Sequence, residues 1–126
     1  MRQGLSCLVI VCGVFLYASP AQAVRFSGNY LLGVCASDAK GNELVQGGHA
    51  VCQSYIAAII DYHTLVRSLN GAPSVDFCVP DAVPMNKLQN IVAAYIYKHK
   101  DQHGSFIASP AVALALYAVY PCKGKT

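Results

Sequence analysis

The chain has 126 residues, with nine Lys/Arg, six Asp/Glu and a formal net charge of +3 at pH 7. This charge is too small to predict a nucleic-acid-binding protein or a protein held electrostatically on a membrane surface. Charged residues make up 12% of the chain and hydrophobic residues 55%. The length allows one domain with one hydrophobic core.

Residues 1–23 have the organisation of a cleavable secretion signal. Arg2 provides a short positive region, residues 5–17 form an apolar run, and Ala21 and Ala23 supply small residues before a cleavage site. The apolar run is shorter than the ~20 residues of a membrane-spanning helix, so a membrane anchor is the less favoured alternative. We predict a signal peptide over residues 1–23 and a mature domain over residues 24–126 that no longer associates with the membrane.

Removal of the predicted signal leaves four cysteines, which are Cys35, Cys52, Cys78 and Cys122. An even number of cysteines in a short exported chain predicts disulfide bonds. Three pairings are possible. We favour Cys35–Cys52, which joins neighbouring helices across a short loop, together with Cys78–Cys122, which lies at one end of an antiparallel helix pair.

Two helices are predicted in the first half of the mature domain. The first covers residues 28–37, with Ser27 placed to cap its amino end. The second covers residues 49–69 and ends at Asn70-Gly71, a pair typical of helix termination. Apolar positions recur along it at three-to-four spacing, through Val51 or Cys52, Tyr55 or Ile56, Ile59 or Ile60, His63 and Val66.

Two further helices are predicted in the second half. The third begins near Pro84, a residue suited to a first helical position. The fourth lies within residues 104–120 and starts either at Ser105 or at Ser109-Pro110. Residues 111–120 carry no charge, which is typical of a helix buried on several sides or at a subunit interface. The predicted fold class is all-α, a small four-helix domain held by disulfides.

The sequence contains no arrangement that predicts catalysis. Asp61 and His63 are two residues apart on a helix and face different sides, so they do not form a local acid–base pair. Neither a Gly-x-Ser-x-Gly motif nor a protease-like cysteine signature occurs. His99 and His103 could share a helix face as metal ligands, but a solvated loop over residues 98–103 is the favoured interpretation. We expect no enzymatic activity, no metal and no cofactor.

Four sequence blocks, which contain the four cysteines in order, are similar to one protein family. They are Phe26-Ser27-Gly28-Asn29 with Leu31-Leu32 and Cys35; Cys52-x-x-Tyr55-Ile56 with Ile59 and Asp61; Cys78-Val79-Pro80 with Leu88, Val92 and Tyr95-Ile96; and Ala115-Leu116 with Tyr120-Pro121-Cys122. Together they resemble the Rap/Tai family of type VI secretion immunity proteins. The blocks cover almost the whole mature chain.

The resemblance implies a periplasmic, often dimeric protein that inhibits a peptidoglycan amidase toxin by occluding its active-site groove. The shared blocks do not mark the contact residues. Because the helices are needed for the core, we expect the contact surface in an interhelix loop, either residues 69–77 or residues 98–105. Within the second loop, the candidate partner-binding residues are Lys98, Lys100, Asp101 and His103. The alternative function is a periplasmic acid-stress chaperone without a toxin partner.

Overall fold

The computed structural model describes residues 25–123, so the predicted signal peptide lies outside the described residues. Five helices form within this range: α1 (Gly28–Cys35), α2 (Gly48–Ser68), α3 (Met85–Lys98), α4 (Lys100–His103) and α5 (Ala108–Val119). The described residues form isolated β-bridges but no strand. The all-α prediction is confirmed, with one short helix more than the four expected. None of these helices has both the length and the hydropathy needed to cross a membrane.

Helix α1 is capped as its sequence predicts. The Ser27 hydroxyl accepts a hydrogen bond from the Tyr30 amide at 3.2 Å, which satisfies one of the donors exposed at a helix start. The helix ends at Cys35, two residues before the expected end, because Ala36 adopts an extended conformation. Its buried side chains, Leu31, Val34 and Cys35, face the core.

Helix α2 carries two apolar stripes, and only one of them faces the core. Cys52, Ile56 and His63 are buried, whereas the neighbouring positions Tyr62 and Leu65 are exposed. The helix stops where predicted. Asn70 adopts a left-handed conformation with φ 59°, and the Gly71 amide donates to the Val66 carbonyl at 2.8 Å.

Helix α3 begins one residue later than predicted, because Pro84 occupies the capping position and not the first helical position. The expected loop over residues 98–103 is also partly helical. The helical backbone is interrupted at His99, which has φ −112° and ψ 30°, and the following residues form the single turn of α4. The His99 carbonyl accepts hydrogen bonds from the amides of Gln102 and His103, both at 3.0 Å, which explains why these residues form a helix.

Helix α5 begins at Ala108, so neither Ser105 nor Ser109-Pro110 marks its start. The start is set by a distant contact, since the Ala108 amide donates to the Phe26 carbonyl at 2.8 Å. Pro110 lies in the first turn, where its missing N–H group removes no helical hydrogen bond. The buried face consists of Ala108, Ala111, Val112, Ala115 and Leu116, and this face packs mainly on α3. Of the other positions, Ser109, Pro110, Ala113 and Leu114 are half-buried, and Tyr117, Ala118 and Val119 are exposed near the carboxyl end. Within this one chain the helix is therefore fully buried on one face only.

Two disulfides join the helices, Cys35–Cys52 and Cys78–Cys122, in agreement with the favoured pairing. The first is buried between α1 and α2. The second lies at the surface, where Cys78 is exposed. It connects the segment before α3 to the residues after α5. The core between these bridges is formed by side chains from α1, α2, α3 and α5 together with Phe77.

Candidate functional site

The predicted partner-binding residues lie at the junction of α3 and α4. Lys98 is the last residue of α3, and Lys100, Asp101 and His103 belong to α4. The side chains of Lys98, Lys100 and Asp101 are exposed, whereas that of His103 is partly buried. Lys98, Lys100 and Asp101 therefore present charge to solvent from one short segment, whereas His103 does not.

The segment that follows α4 is fixed by the first amides of α1. The Gly28 amide donates to the Phe106 carbonyl at 2.9 Å, and the Asn29 amide donates to the Gly104 carbonyl at 2.8 Å. A Cβ atom on Gly28 would collide with the backbone carbonyl of His103, so this position requires glycine. The part of residues 98–107 that follows α4 is therefore held by main-chain contacts from α1.

His103 packs in an aromatic cluster beneath the exposed charges. The ring of Tyr95 lies 4.4 Å from that of His99 and 5.9 Å from that of His103, measured between centroids. Residues 25–123 contain no group of three or more side chains placed to hold a metal ion. The three rings pack against one another, and this packing attaches the segment to α3.

The other candidate loop, residues 69–77, contains an ionic cluster that the sequence did not reveal. The His63 ring stacks on Phe77, with centroids 3.9 Å apart. Its Nε2 lies 3.1 Å from Oδ1 of Asp76, without hydrogen-bond alignment. Nη1 of Arg67 lies 3.4 Å from the same oxygen. His63 is thus paired with a residue thirteen positions away, whereas Asp61 is exposed.

The same arginine lies against the surface disulfide. Nη1 of Arg67 is 2.6 Å from the Cys78 sulfur and 2.7 Å from the Cys122 sulfur. The Cys122 amide donates to the Asp76 carbonyl at 3.0 Å, so main-chain bonding also ties the loop to the end of the chain. The ionic cluster therefore stabilises the attachment of this loop.

The hydroxyl groups near His63 are used within α2. The Thr64 hydroxyl donates to the Ile60 carbonyl at 2.9 Å, and the Ser68 hydroxyl donates to the Leu65 carbonyl at 2.7 Å. Both residues line the cavity beside His63. Each hydroxyl therefore donates its proton to a carbonyl of its own helix and not to the His63 ring.

An apolar groove of about 390 Å³ lies between α2, the 69–77 loop and the first turns of α5. Its walls include Ile59, Tyr62, Val66, Pro73, Val75 and Pro110. The groove extends from the 69–77 loop to the first turn of α5, which directly follows residues 98–107. Of the two loops predicted as contact surfaces, the 69–77 loop therefore lines a concave apolar region, suited to receive apolar side chains of a partner.

Comparison with known proteins gives one family. The family model for Rap1a immunity proteins matches residues 27–122, which is nearly all of the described range. No curated protein and no solved structure matches the chain. The match includes Gly28 and the cysteines Cys35, Cys52, Cys78 and Cys122, and it confirms the resemblance found in the sequence. The chain therefore belongs to the Rap1a immunity protein family.

Proposed function

We propose that this protein is a periplasmic immunity protein that blocks the active-site groove of a peptidoglycan amidase delivered by type VI secretion. Membership of the family implies a toxin partner and an inhibitor rather than an enzyme. Two disulfides suggest an oxidising compartment, which agrees with export to the periplasm. The predicted signal peptide would direct the chain to the compartment in which a peptidoglycan amidase acts.

The proposed contact surface is the segment of residues 98–107. The observation that supports it is the pair of hydrogen bonds from the α1 amides of Gly28 and Asn29 to this segment. A segment that is already ordered loses less conformational entropy when it binds, which favours affinity. Lys98, Lys100 and Asp101 are exposed on it and are the side chains proposed to contact the toxin.

The test is a triple substitution, Lys98→Ala, Lys100→Ala and Asp101→Ala, measured for binding to the amidase encoded beside this gene or to a panel of peptidoglycan amidases. We expect affinity to fall about tenfold or more, equivalent to ~1.4 kcal/mol, because interface energy is concentrated in few residues. Helicity, measured by circular dichroism, should not change.

The matched control is Lys87→Ala, Lys123→Ala and Asp81→Ala, which removes the same charges from exposed positions elsewhere. The control should bind the amidase with the affinity of the unmodified protein. Equal loss in both variants would indicate a nonspecific charge effect. If both variants keep the affinity of the unmodified protein, the contact surface lies in the 69–77 loop or the apolar groove.

The acid-stress chaperone is a second candidate, favoured by the large apolar side chains exposed on α2. A chaperone of that kind covers apolar surface at neutral pH and exposes it in acid. Binding of a hydrophobic dye between neutral and acidic pH separates the candidates. An acid-dependent increase in dye binding would support the chaperone, and constant binding would support the inhibitor.

A further inference from the structure

The two disulfides differ in how far a thiol from solution can reach their sulfur atoms. Cys35 is 1% exposed and Cys52 is 0% exposed, because their bridge lies between α1 and α2. Cys78 is exposed, and Cys122 is half-buried. A thiolate exchanges with a disulfide by direct attack on one of its sulfur atoms. Of the two bridges, Cys78–Cys122 is therefore the one that a thiol reaches in the folded protein, and Cys78 is the more accessible sulfur.

A cation lies against both sulfur atoms of this surface bridge. Nη1 of Arg67 is 2.6 Å from the Cys78 sulfur and 2.7 Å from the Cys122 sulfur. When a thiolate breaks a disulfide, negative charge passes to the sulfur that leaves, and the exchange is faster when the leaving thiolate is more stable. A guanidinium stabilises a neighbouring thiolate more than it stabilises a neutral disulfide. Arg67 is therefore placed to accelerate cleavage of the bridge.

The other charged groups around Arg67 have opposing effects. Oδ1 of Asp76 is 3.4 Å from Nη1 of Arg67 and 3.1 Å from Nε2 of His63. Lys123 lines the same cavity as Arg67 and Asp76. The Asp76 carboxylate offsets part of the guanidinium charge and repels an incoming thiolate, whereas Lys123 attracts it. Each charge therefore has a defined sign of effect on the rate of exchange.

Main-chain contacts keep the two cysteines together when the S–S bond is broken. The Cys78 amide donates to the Tyr120 carbonyl at 2.7 Å, and the Cys122 amide donates to the Asp76 carbonyl at 3.0 Å. Phe77, between these contacts, is 4% exposed and belongs to the core. None of these contacts involves a sulfur atom. The two thiols of the reduced bridge therefore stay adjacent, and the bridge can form again.

We propose that Cys78–Cys122 is a thiol-exchange site, at which Cys78 takes up the sulfur of an external dithiol and Cys122 leaves as a thiolate stabilised by Arg67. The proposal does not depend on the amidase, because the site and its chemistry are separate from residues 98–107. Cleavage leaves the 69–77 loop, which lines the apolar groove, attached to the end of the chain by main-chain hydrogen bonds.

The exchange transfers two electrons from the dithiol to the protein. The external thiolate attacks the Cys78 sulfur, the S–S bond breaks, and its electron pair goes to the Cys122 sulfur. The second thiolate of the dithiol then attacks the mixed disulfide and releases Cys78. The dithiol leaves as a disulfide, and Cys78 and Cys122 take up protons as thiols. A disulfide oxidoreductase with a reduced cysteine pair has the chemistry of this reductant.

The first test compares the two bridges of the oxidised mature protein, with dithiothreitol as the dithiol. Samples are quenched with acid at intervals, alkylated and mapped by mass spectrometry. We expect Cys78 and Cys122 to be alkylated about a hundredfold faster than Cys35 and Cys52, because only the surface bridge combines exposure with an adjacent cation. In concentrated urea the two rates should become similar, since burial and the position of Arg67 are lost.

The second test changes the charges at the site and measures the same rate. Arg67→Gln should slow reduction of the surface bridge about tenfold, and Arg67→Lys, which keeps the cation, should recover part of this loss. Asp76→Asn should accelerate reduction about threefold, because it removes the opposing carboxylate. The control is Lys40→Gln, an exposed residue before α2 whose distance from Arg67 is set by that helix of about 30 Å. Its rate should equal that of the unmodified protein.

The third test identifies the attacked sulfur with glutathione, a monothiol that leaves a mixed disulfide. Mass spectrometry should find the glutathione adduct on Cys78, and circular dichroism should show unchanged helicity. An adduct on Cys122 would contradict the proposed direction of attack. Equal reduction rates of the two bridges in the folded protein, or an Arg67→Gln variant that reacts as fast as the unmodified protein, would overturn the proposal. Loss of helical signal on cleavage would also overturn it, because the bridge would then be essential for folding. None of these results depends on amidase binding.

Discussion

The two disulfides have the same chemistry but lie in contrasting surroundings. Cys35–Cys52 is buried between α1 and α2, and the Cys35 carbonyl accepts a hydrogen bond from the buried Gln89 amide at 2.9 Å. Cys78–Cys122 lies at the surface, with the Arg67 guanidinium against its sulfur atoms. The first is part of the core, and the second attaches a loop to the outside of it.

Loop length predicts the larger stabilisation for Cys78–Cys122, whereas burial predicts the larger stabilisation for Cys35–Cys52. Their sequence separations are 17 and 44 residues, and the chain-entropy model gives about 3 and about 4 kcal/mol respectively. Burial favours the first bridge, because removing its sulfur atoms also leaves a cavity and disturbs the packing of α1 on α2. The two bridges therefore distinguish two sources of stability, which are restriction of the unfolded chain and packing in the folded core.

The largest expected effect comes from removing each bridge in turn. We expect Cys35→Ala with Cys52→Ala to cost about 5 kcal/mol, and Cys78→Ala with Cys122→Ala about 4 kcal/mol, measured by urea unfolding. The first variant should also lose helical signal, whereas the second should retain it. A larger loss from the surface bridge would mean that loop entropy outweighs packing.

A smaller effect is expected from the polar neighbour of each bridge. The Gln89 side chain connects the Cys35 carbonyl to Gln53, whose amide donates to Gln89 Oε1 at 2.8 Å. Gln89→Leu leaves that buried carbonyl without a donor and should cost about 2 kcal/mol. Arg67→Gln removes a half-exposed ion pair and should cost less than about 1 kcal/mol. Thermal unfolding of both variants measures the difference, and equal losses would contradict it.

The smallest effect concerns Glu43, in the loop that the buried bridge closes. Hydrogen bonds from the Gly47 amide, and then from the His49 amide, lower the pKa of this carboxyl below its ordinary value. A depressed pKa in the folded state means that the ionised form stabilises the protein above the unfolded-state pKa. This contribution is lost as the pH falls through the folded-state pKa.

The measurement for Glu43 is a carboxyl titration by NMR together with unfolding at several acidic pH values. We expect a midpoint below that of an unperturbed glutamate. Glu43→Gln should remove this part of the acid dependence while leaving the two disulfides intact. A titration midpoint at or above the ordinary value would show that the two amides do not bind the carboxylate in solution.

The sequence predicted those features whose causes are local. The Ser27 cap and the Asn70-Gly71 stop depend on neighbouring residues, and both are confirmed. The predicted start of α5 was wrong, because the carbonyl of a distant residue, Phe26, determines where the helix begins. The apolar spacing along α2 left the inward face undecided, since two adjacent stripes have the same period.

The candidate site was predicted less completely than the fold. Lys98, Lys100 and Asp101 are exposed as a contact surface requires, but their binding role stays a prediction. The placement of His63 beside Asp76 could not be predicted, because these residues meet only when the 69–77 loop folds back on α2. The burial of Gln89 depends likewise on a distant group, because its side-chain amide donates to the Cys35 carbonyl at the end of α1.

The close fit of Gly28 against the His103 carbonyl has a consequence for how such proteins diversify. The backbone conformation of residues 98–107 depends on a glycine of another helix, Gly28 of α1. The side chains of Lys98, Lys100 and Asp101 are not needed to maintain it. Under the proposed function, those side chains can therefore be exchanged to fit a different toxin, whereas a side chain at position 28 would collide with the His103 carbonyl. Recognition and architecture then evolve at separate positions, one tolerant of change and the other closed to it.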